Sequence, residues 1–198
     1  MRNVILLSLF LASLVVADDT AGISEQCAVC HGVDGVSRWA DVPNIAGLPD
    51  VVIANALYDF RGHERPCRKP SCATSGECPN LDMCQISEPL SDGAMDTLAR
   101  KYSERPFSPS IADYDPELAA AGRIIHEAHC ERCHTKGGGE PLDEASILRG
   151  QNMAYMRNTI ADFRAKQRIG EQPMLERMQK LDDREAEALV HFYASPAD

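Results

Sequence analysis

Three things are scarce in this 198-residue chain, and each scarcity removes a class of function. Positive charge is short: 20 Lys and Arg face 30 Asp and Glu, a formal balance of −10. Nucleic acid and anionic lipid both require basic patches, so neither is expected as a partner. Long apolar runs are also short. The one at Val4 to Val16, broken by Ser8 and Ser13, cannot span a bilayer. With Arg2 before it and Val15-Val16-Ala17 at its end, it reads as a secretory signal over residues 1–17. A mature protein is then expected from about Asp18, with no membrane span after cleavage, periplasmic and soluble or loosely membrane-associated, where disulfides form. Left uncleaved, the same segment would act as an anchor. Alternating apolar runs long enough for a sheet are missing as well, which points to an all-α fold.

What is present is a motif that occurs twice: Cys27-Ala28-Val29-Cys30-His31 and Cys130-Glu131-Arg132-Cys133-His134. A C-x-x-C pair alone serves as a redox dithiol, as half of a zinc site or as a haem tether. The following His favours the last: two thiols three residues apart reach the two vinyl groups of one porphyrin, and the next imidazole lies under the iron. Two such motifs imply two covalently bound haem c groups, held by Cys27, Cys30, Cys130 and Cys133, with His31 and His134 as iron ligands.

The duplication extends beyond the motifs. Placing Cys27 on Cys130 fixes an offset of 103, which also puts Gly47 on Gly150, Asp59-Phe60-Arg61 on Asp162-Phe163-Arg164 and Arg65 on Arg168. Beyond Arg65 the offset falls to 91, pairing Met83 with Met174, Leu90 with Leu181, Asp92 with Asp183, Leu98 with Leu189 and Tyr102 with Tyr193. The first half therefore carries 12 additional residues, and one unit has been copied. About 180 residues after the signal suffice for two small domains. The boundaries expected are an N-terminal domain at 18–102 with an insertion at 66–84, a Pro- and Ser-containing linker at 103–115, and a C-terminal domain at 116–198.

Each unit reads as helical. Ile53, Leu57 and Phe60, like Met156, Ile160 and Phe163, recur at helical steps. Ala186, Leu189, Val190 and Tyr193 line one side of a final helix, opened by a capping box at Asp182 and Glu185. Pro116 to His129 forms the helix entering the second motif, with Asp115 as its cap, and Thr20 to Gln26 is a shorter counterpart.

On the far side of each iron, Met83 and Met174 are the expected ligands, because they coincide under the repeat and a thioether suits low-spin haem iron. Pro173 would help hold Met174 in an extended loop. Met153, Met156 and Met178 read as core, and Met95, the rival in the first half, falls on Ala186. His63, His126, His129 and His191 have no repeated partner and read as surface or loop residues, and Trp39 reads as packing. In the insertion, Cys67, Cys72, Cys78 and Cys84 form an even set in a Pro-rich loop. Two disulfides are expected, with all three pairings open, and a four-cysteine zinc site is the alternative.

These motifs resemble the two-domain, two-haem cytochromes c of the cytochrome c4 type. The resemblance is carried by Cys27-Ala-Val-Cys-His-Gly-Val-Asp-Gly35, Pro43-Asn-Ile-Ala-Gly47, Asp59-Phe60-Arg61 and Leu90-Ser91-Asp92. The second half, with Gly137-Gly-Gly139, Gly150-Gln151, Pro173-Met174 and Phe192-Tyr-Ala-Ser195, is also similar to the haem subunit of flavocytochrome c sulfide dehydrogenase. The resemblance implies two tandem class I cytochrome c domains related by approximate twofold symmetry. It also implies that a Pro carbonyl orients each proximal His: Pro43 fits, whereas the second half has Ser146.

Electron carriage, with no catalysis, is the function expected. Redox proteins are the expected partners, among them a flavoprotein dehydrogenase, a terminal oxidase or another cytochrome. A basic docking face on such a partner would suit the acidic balance. The alternatives are a dedicated haem subunit of a sulfide dehydrogenase complex, and a haem enzyme with an open iron or a Cys67 or Cys84 thiolate ligand.

Overall fold

The computed structural model describes residues 20–110 and 112–196; the expected signal segment lies outside them. The described elements are all helical: α1 (Thr20–His31), α2 (Asp50–Arg61), α3 (Ser71–Ser75), α4 (Met83–Ser87), α5 (Asp92–Ser103), α6 (Pro116–His129), α7 (Thr135–Gly138), α8 (Met153–Arg164), α9 (Gln172–Met178) and α10 (Asp183–Ala194), with a 3₁₀ turn at Pro141–Asp143. The short α7 contains two left-handed residues, Lys136 and Gly137.

Local sequence explains where the longer helices begin. Asp115 accepts from the amides of Glu117 and Leu118 ahead of α6, and Ser91 accepts from Ala94 ahead of α5. Asp182 and Glu185 form the expected capping box of α10, and Asp82 and Gln85 form another at α4. From these caps α5 turns Ala94, Met95, Leu98, Ala99 and Tyr102 inward, and α10 turns in Ala188, Leu189, Val190, Phe192 and Tyr193.

Two apolar cores result. One gathers Leu48, Ile53 and Leu57 against Leu90, Met95, Leu98 and Tyr102, the other Met156 and Ile160 against Leu181, Leu189, Val190, Phe192 and Tyr193. Met95 is fully buried in the first, as filler. The duplication is visible in the backbone. Ile45 and Ala46 donate to the Gly35 carbonyl at 2.8 and 3.1 Å, and Leu148 and Arg149 donate to that of Gly138 at the same two distances. Gly47 donates to Tyr102 at 2.9 Å and Gly150 to Tyr193 at 2.7 Å.

The halves share buried polar contacts. Asn44 donates its amide to Gln151 Oε1 at 3.0 Å, and Gln151 Nε2 returns a bond to the Asn44 carbonyl at 2.6 Å. Asn152 Nδ2 donates to the Val42 carbonyl at 2.7 Å. Residues 107–110 lie against both halves: Asn44 Nδ2 donates to the Ser108 carbonyl at 2.9 Å, and Ser110 donates its amide to the Gly150 carbonyl at 2.7 Å. Ile147 of the second half completes the first core.

Several expectations need correction. His126 is no surface residue: it is fully buried, with Nδ1 2.9 Å from the Tyr193 hydroxyl and Nε2 2.6 Å from Glu131. The Glu131 carboxylate, from inside the second motif, satisfies a polar ring that helix α6 must bury. His191 is half-buried; its Nδ1 accepts from the Asp115 amide at 2.8 Å, so it joins α10 to the start of α6. His63 and His129 are exposed, as expected. Thr20 to Gln26 is the start of a longer helix that carries the whole first motif, whereas α6 stops at His129 and the second motif follows as a turn. Met174 lies in helix α9 rather than in an extended loop, because Pro173 occupies a first-turn position where its missing N–H costs nothing.

Helices α6 and α10 approach so closely at Gly122 that an added Cβ would lie 2.1 Å from the Ala188 carbonyl oxygen. In an exposed helix Gly→Ala stabilises by roughly 1 kcal/mol. Here the sign reverses: Gly122→Ala is expected to destabilise by about 1–3 kcal/mol, read as a lowered denaturant midpoint at unchanged m.

Candidate functional site

One cavity of about 450 Å³ brings together Cys27, Cys30, His31 and Met83, within the size range of cofactor pockets. Helix α1 supplies the two thiols and the imidazole, and Met83 opens helix α4. Ile53 and Leu57 of α2 and Leu98 of α5 form apolar walls, whose inward stripe is the one legible in the periodicity.

His31 is buried, and its Nδ1 lies 2.9 Å from the Pro43 carbonyl. That partner fixes the ring and the tautomer, leaving Nε2 free to face a metal. Burial pushes the His31 pKa below the usual range, opposed by the Pro43 carbonyl, so the ring is neutral, as a ligand must be. Burial also raises Cys27 and Cys30, so both are thiols. Uncharged thiols, a neutral imidazole and a soft thioether in an apolar chamber fit a covalently attached haem.

In the second half Cys130 is half-buried and Cys133 exposed. His134 Nδ1 is buried without a hydrogen-bonding partner. The Ser146 backbone faces the ring and raises its pKa, but burial is the larger effect and lowers it. The contact supplied by Pro43 in the first half thus has a weaker counterpart. Met174 packs against Gly170, where an added Cβ would fall 2.6 Å from Met174 Cε.

Two tyrosines were missed as site residues. Tyr102 is buried, its hydroxyl 3.5 Å from Ser24 Oγ and in contact with Cys27. Tyr193 is buried too and hydrogen-bonds Cys130. Their pairing under the offset of 91 was the available signal, since a hydroxyl beside the first Cys of each motif must be kept in both copies for the same contact to form.

Disulfides close the insertion: Cys67 with Cys84 (Cα–Cα 5.6 Å) and Cys72 with Cys78 (Cα–Cα 5.3 Å). Cys67 and Cys84 are thereby spent on each other, and neither remains as a thiolate for iron. The first bridge ties the residue after Met83 to the strand of chain leaving Arg65, 17 positions earlier.

A family model described as "Cytochrome C oxidase, cbb3-type, subunit III" matches residues 117–192. Cytochrome c4 of Stutzerimonas stutzeri is 29% identical over 178 residues, 84% of this chain and 82% of that one. The crystal structure of reduced recombinant cytochrome c4 from Pseudomonas stutzeri superposes with a TM-score of 0.68 at 26% identity, over 90% of this chain and 98% of the other. Over most of its length the chain is thus similar to two-haem cytochromes of the c4 type. It is an electron-transfer protein rather than an enzyme, built from two class I cytochrome c domains with two covalently attached haems. The thiosulfate dehydrogenase TsdBA of Marichromatium purpuratum shares the fold of this cytochrome (TM-score 0.70, 24% identity), which spans 39% of that chain.

Removing the Cys67–Cys84 bridge by the double change Cys67→Ser and Cys84→Ser is expected to lower stability by about 2–4 kcal/mol, measured by denaturant unfolding of the holoprotein. The Cys72–Cys78 bridge closes a shorter loop, so its removal is expected to cost less.

Proposed function

We propose that the first haem is joined to Cys27 and Cys30 with His31 and Met83 as axial ligands, and the second to Cys130 and Cys133 with His134 and Met174. The proposal rests above all on the convergence of Cys27, Cys30, His31 and Met83 on one cavity. Each haem iron supplies a reversible one-electron change when bound. The chain would hold it with a neutral His31 aimed by Pro43 and the soft Met83 thioether, in a cavity walled by Ile53, Leu57 and Leu98. With His31 and Met83, and His134 and Met174, holding the two irons, no coordination position would be left for a substrate.

In this reading the cytochrome domains are residues 18–102 and 116–198, joined by 103–115, with the cysteine-rich insertion at 66–84. The protein works in the periplasm after loss of residues 1–17, passing single electrons between redox proteins. Formal charge of −10 suits a partner with a basic docking face. A flavoprotein dehydrogenase as donor would follow from the resemblance of the second-half motifs Pro173-Met174 and Phe192-Tyr-Ala-Ser195 to those of a sulfide dehydrogenase haem subunit.

A pyridine haemochrome assay is expected to return two haems per chain, with low-spin spectra that carbon monoxide leaves unchanged. One haem, or a CO-binding iron in the unaltered protein, would sink the assignment. Met83→Ala is expected to abolish the Met–iron charge-transfer band of one haem only, to lower that haem's potential and to make it bind CO; Met174→Ala should do the same to the other. Isolation from the native host together with a yellow FAD-containing polypeptide would identify the dedicated-subunit form.

A further inference from the structure

Met83 and Met174 coincide under the repeat, yet the fold fastens them in unlike ways. Met83 is the first residue of α4, a helix of five residues, too short to be stable on its own hydrogen bonds. Two devices hold it. Asp82 and Gln85 close the capping box around its start, and Cys84, the residue after Met83, is buried and bridged to Cys67.

The far end of that bridge is anchored. After α2 the chain reverses through the left-handed His63 (φ 57), and Glu64 N closes the turn on the Asp59 carbonyl at 2.8 Å. Arg65 is buried with its guanidinium 4.3 Å from the Phe60 ring. The sulfurs of Cys67 and Cys84 lie 3.8 and 4.0 Å from the Arg65 carbonyl oxygen. One covalent link therefore joins the residue beside Met83 to a segment packed on α2, the helix that walls the cavity with Ile53 and Leu57.

Met174 has no such link. Its half of the chain holds no cysteine besides Cys130 and Cys133, and the offset of 91 puts Leu175 where Cys84 stands. No residue of α9 is buried. The helix is held by the half-buried side chains of Met174, Leu175 and Met178 and by the ion pair of Arg177 with Glu185 at 3.6 Å. Segments with so few buried contacts open locally at little cost.

We propose that Cys67 and Cys84 are positioning residues for the first haem: their bridge keeps the Met83 thioether at its iron, and the second haem, lacking one, is the more easily opened of the two. The inference rests on Met83 and Met174 being the axial ligands proposed above. A methionine at an iron exchanges between bound and released states, and release is favoured by the conformational freedom its segment gains. A cross-link one residue away removes much of that freedom from the released state, as a disulfide does from an unfolded chain. Release of Met174 gives up only half-buried contacts and meets no such limit.

Imidazole titration of the ferric holoprotein tests this, with loss of each Met–iron charge-transfer band as the readout and Met83→Ala and Met174→Ala assigning the bands. In the unaltered protein Met174 should be displaced at a lower imidazole concentration than Met83, a comparison that does not depend on any bridge variant folding. In the double variant Cys67→Ser and Cys84→Ser, the concentration that displaces Met83 should fall by about tenfold or more, while that for Met174 stays unchanged. Cys72→Ser with Cys78→Ser removes the other bridge of the insertion, whose Cys72 sulfur lies 3.8 Å from that of Cys30 in the attachment motif, and should leave both concentrations unchanged. Displacement of Met83 before Met174, an unshifted Met83 without the Cys67–Cys84 bridge, or an equal shift in both double variants would each overturn the proposal. Failure of the ligand assignment reads differently: Met83→Ala would then leave both bands in place.

Discussion

A backbone hydrogen bond from Gly47 to the carbonyl of Tyr102, and its copy from Gly150 to Tyr193, is the constraint on which each half depends. It joins the loop that follows each attachment motif to the last helix of its unit. Through it, Pro43 is held under His31, and the tyrosine hydroxyl is held beside the first cysteine. Both glycines are left-handed, and both are covered: a Cβ on Gly47 would meet the Phe107 amide at 2.5 Å, and one on Gly150 would meet Pro109 at 2.4 Å. Only glycine satisfies the backbone conformation and leaves room for the segment packed on it.

The same packing explains why residues 107–110 differ from a loose tether. Their carbonyls, amides and hydroxyl groups answer buried side chains of both halves, notably Asn44 and Asn152. Buried polar groups of this kind are costly unless all are satisfied, so the network favours one arrangement of the halves over others. That arrangement places α8 side chains, Tyr155, Thr159 and Asp162, in the wall of the first-half cavity.

Carboxylates dominate the composition, whereas the cavity reached by both halves is lined by Arg65, Arg68, Lys69 and Arg168 against Asp41 and Asp162.

The covalent chemistry and the helical, duplicated plan were legible in the chain, because thioether spacing and a fixed offset are properties of residue order. Caps at Asp115 and Asp182 were equally local, depending on an oxygen one turn from its amide. His126 and His191 were misread, since burial of a histidine depends on what arrives from elsewhere, here Tyr193 and Asp115. The pairing of Cys67 with Cys84 and of Cys72 with Cys78 was likewise open among three, because spacing alone does not say which thiols meet. The first cavity and its two arginines belong only to the folded molecule: Arg65 and Arg168 are 103 positions apart, and their shared cavity exists because a buried polar network sets one half against the other.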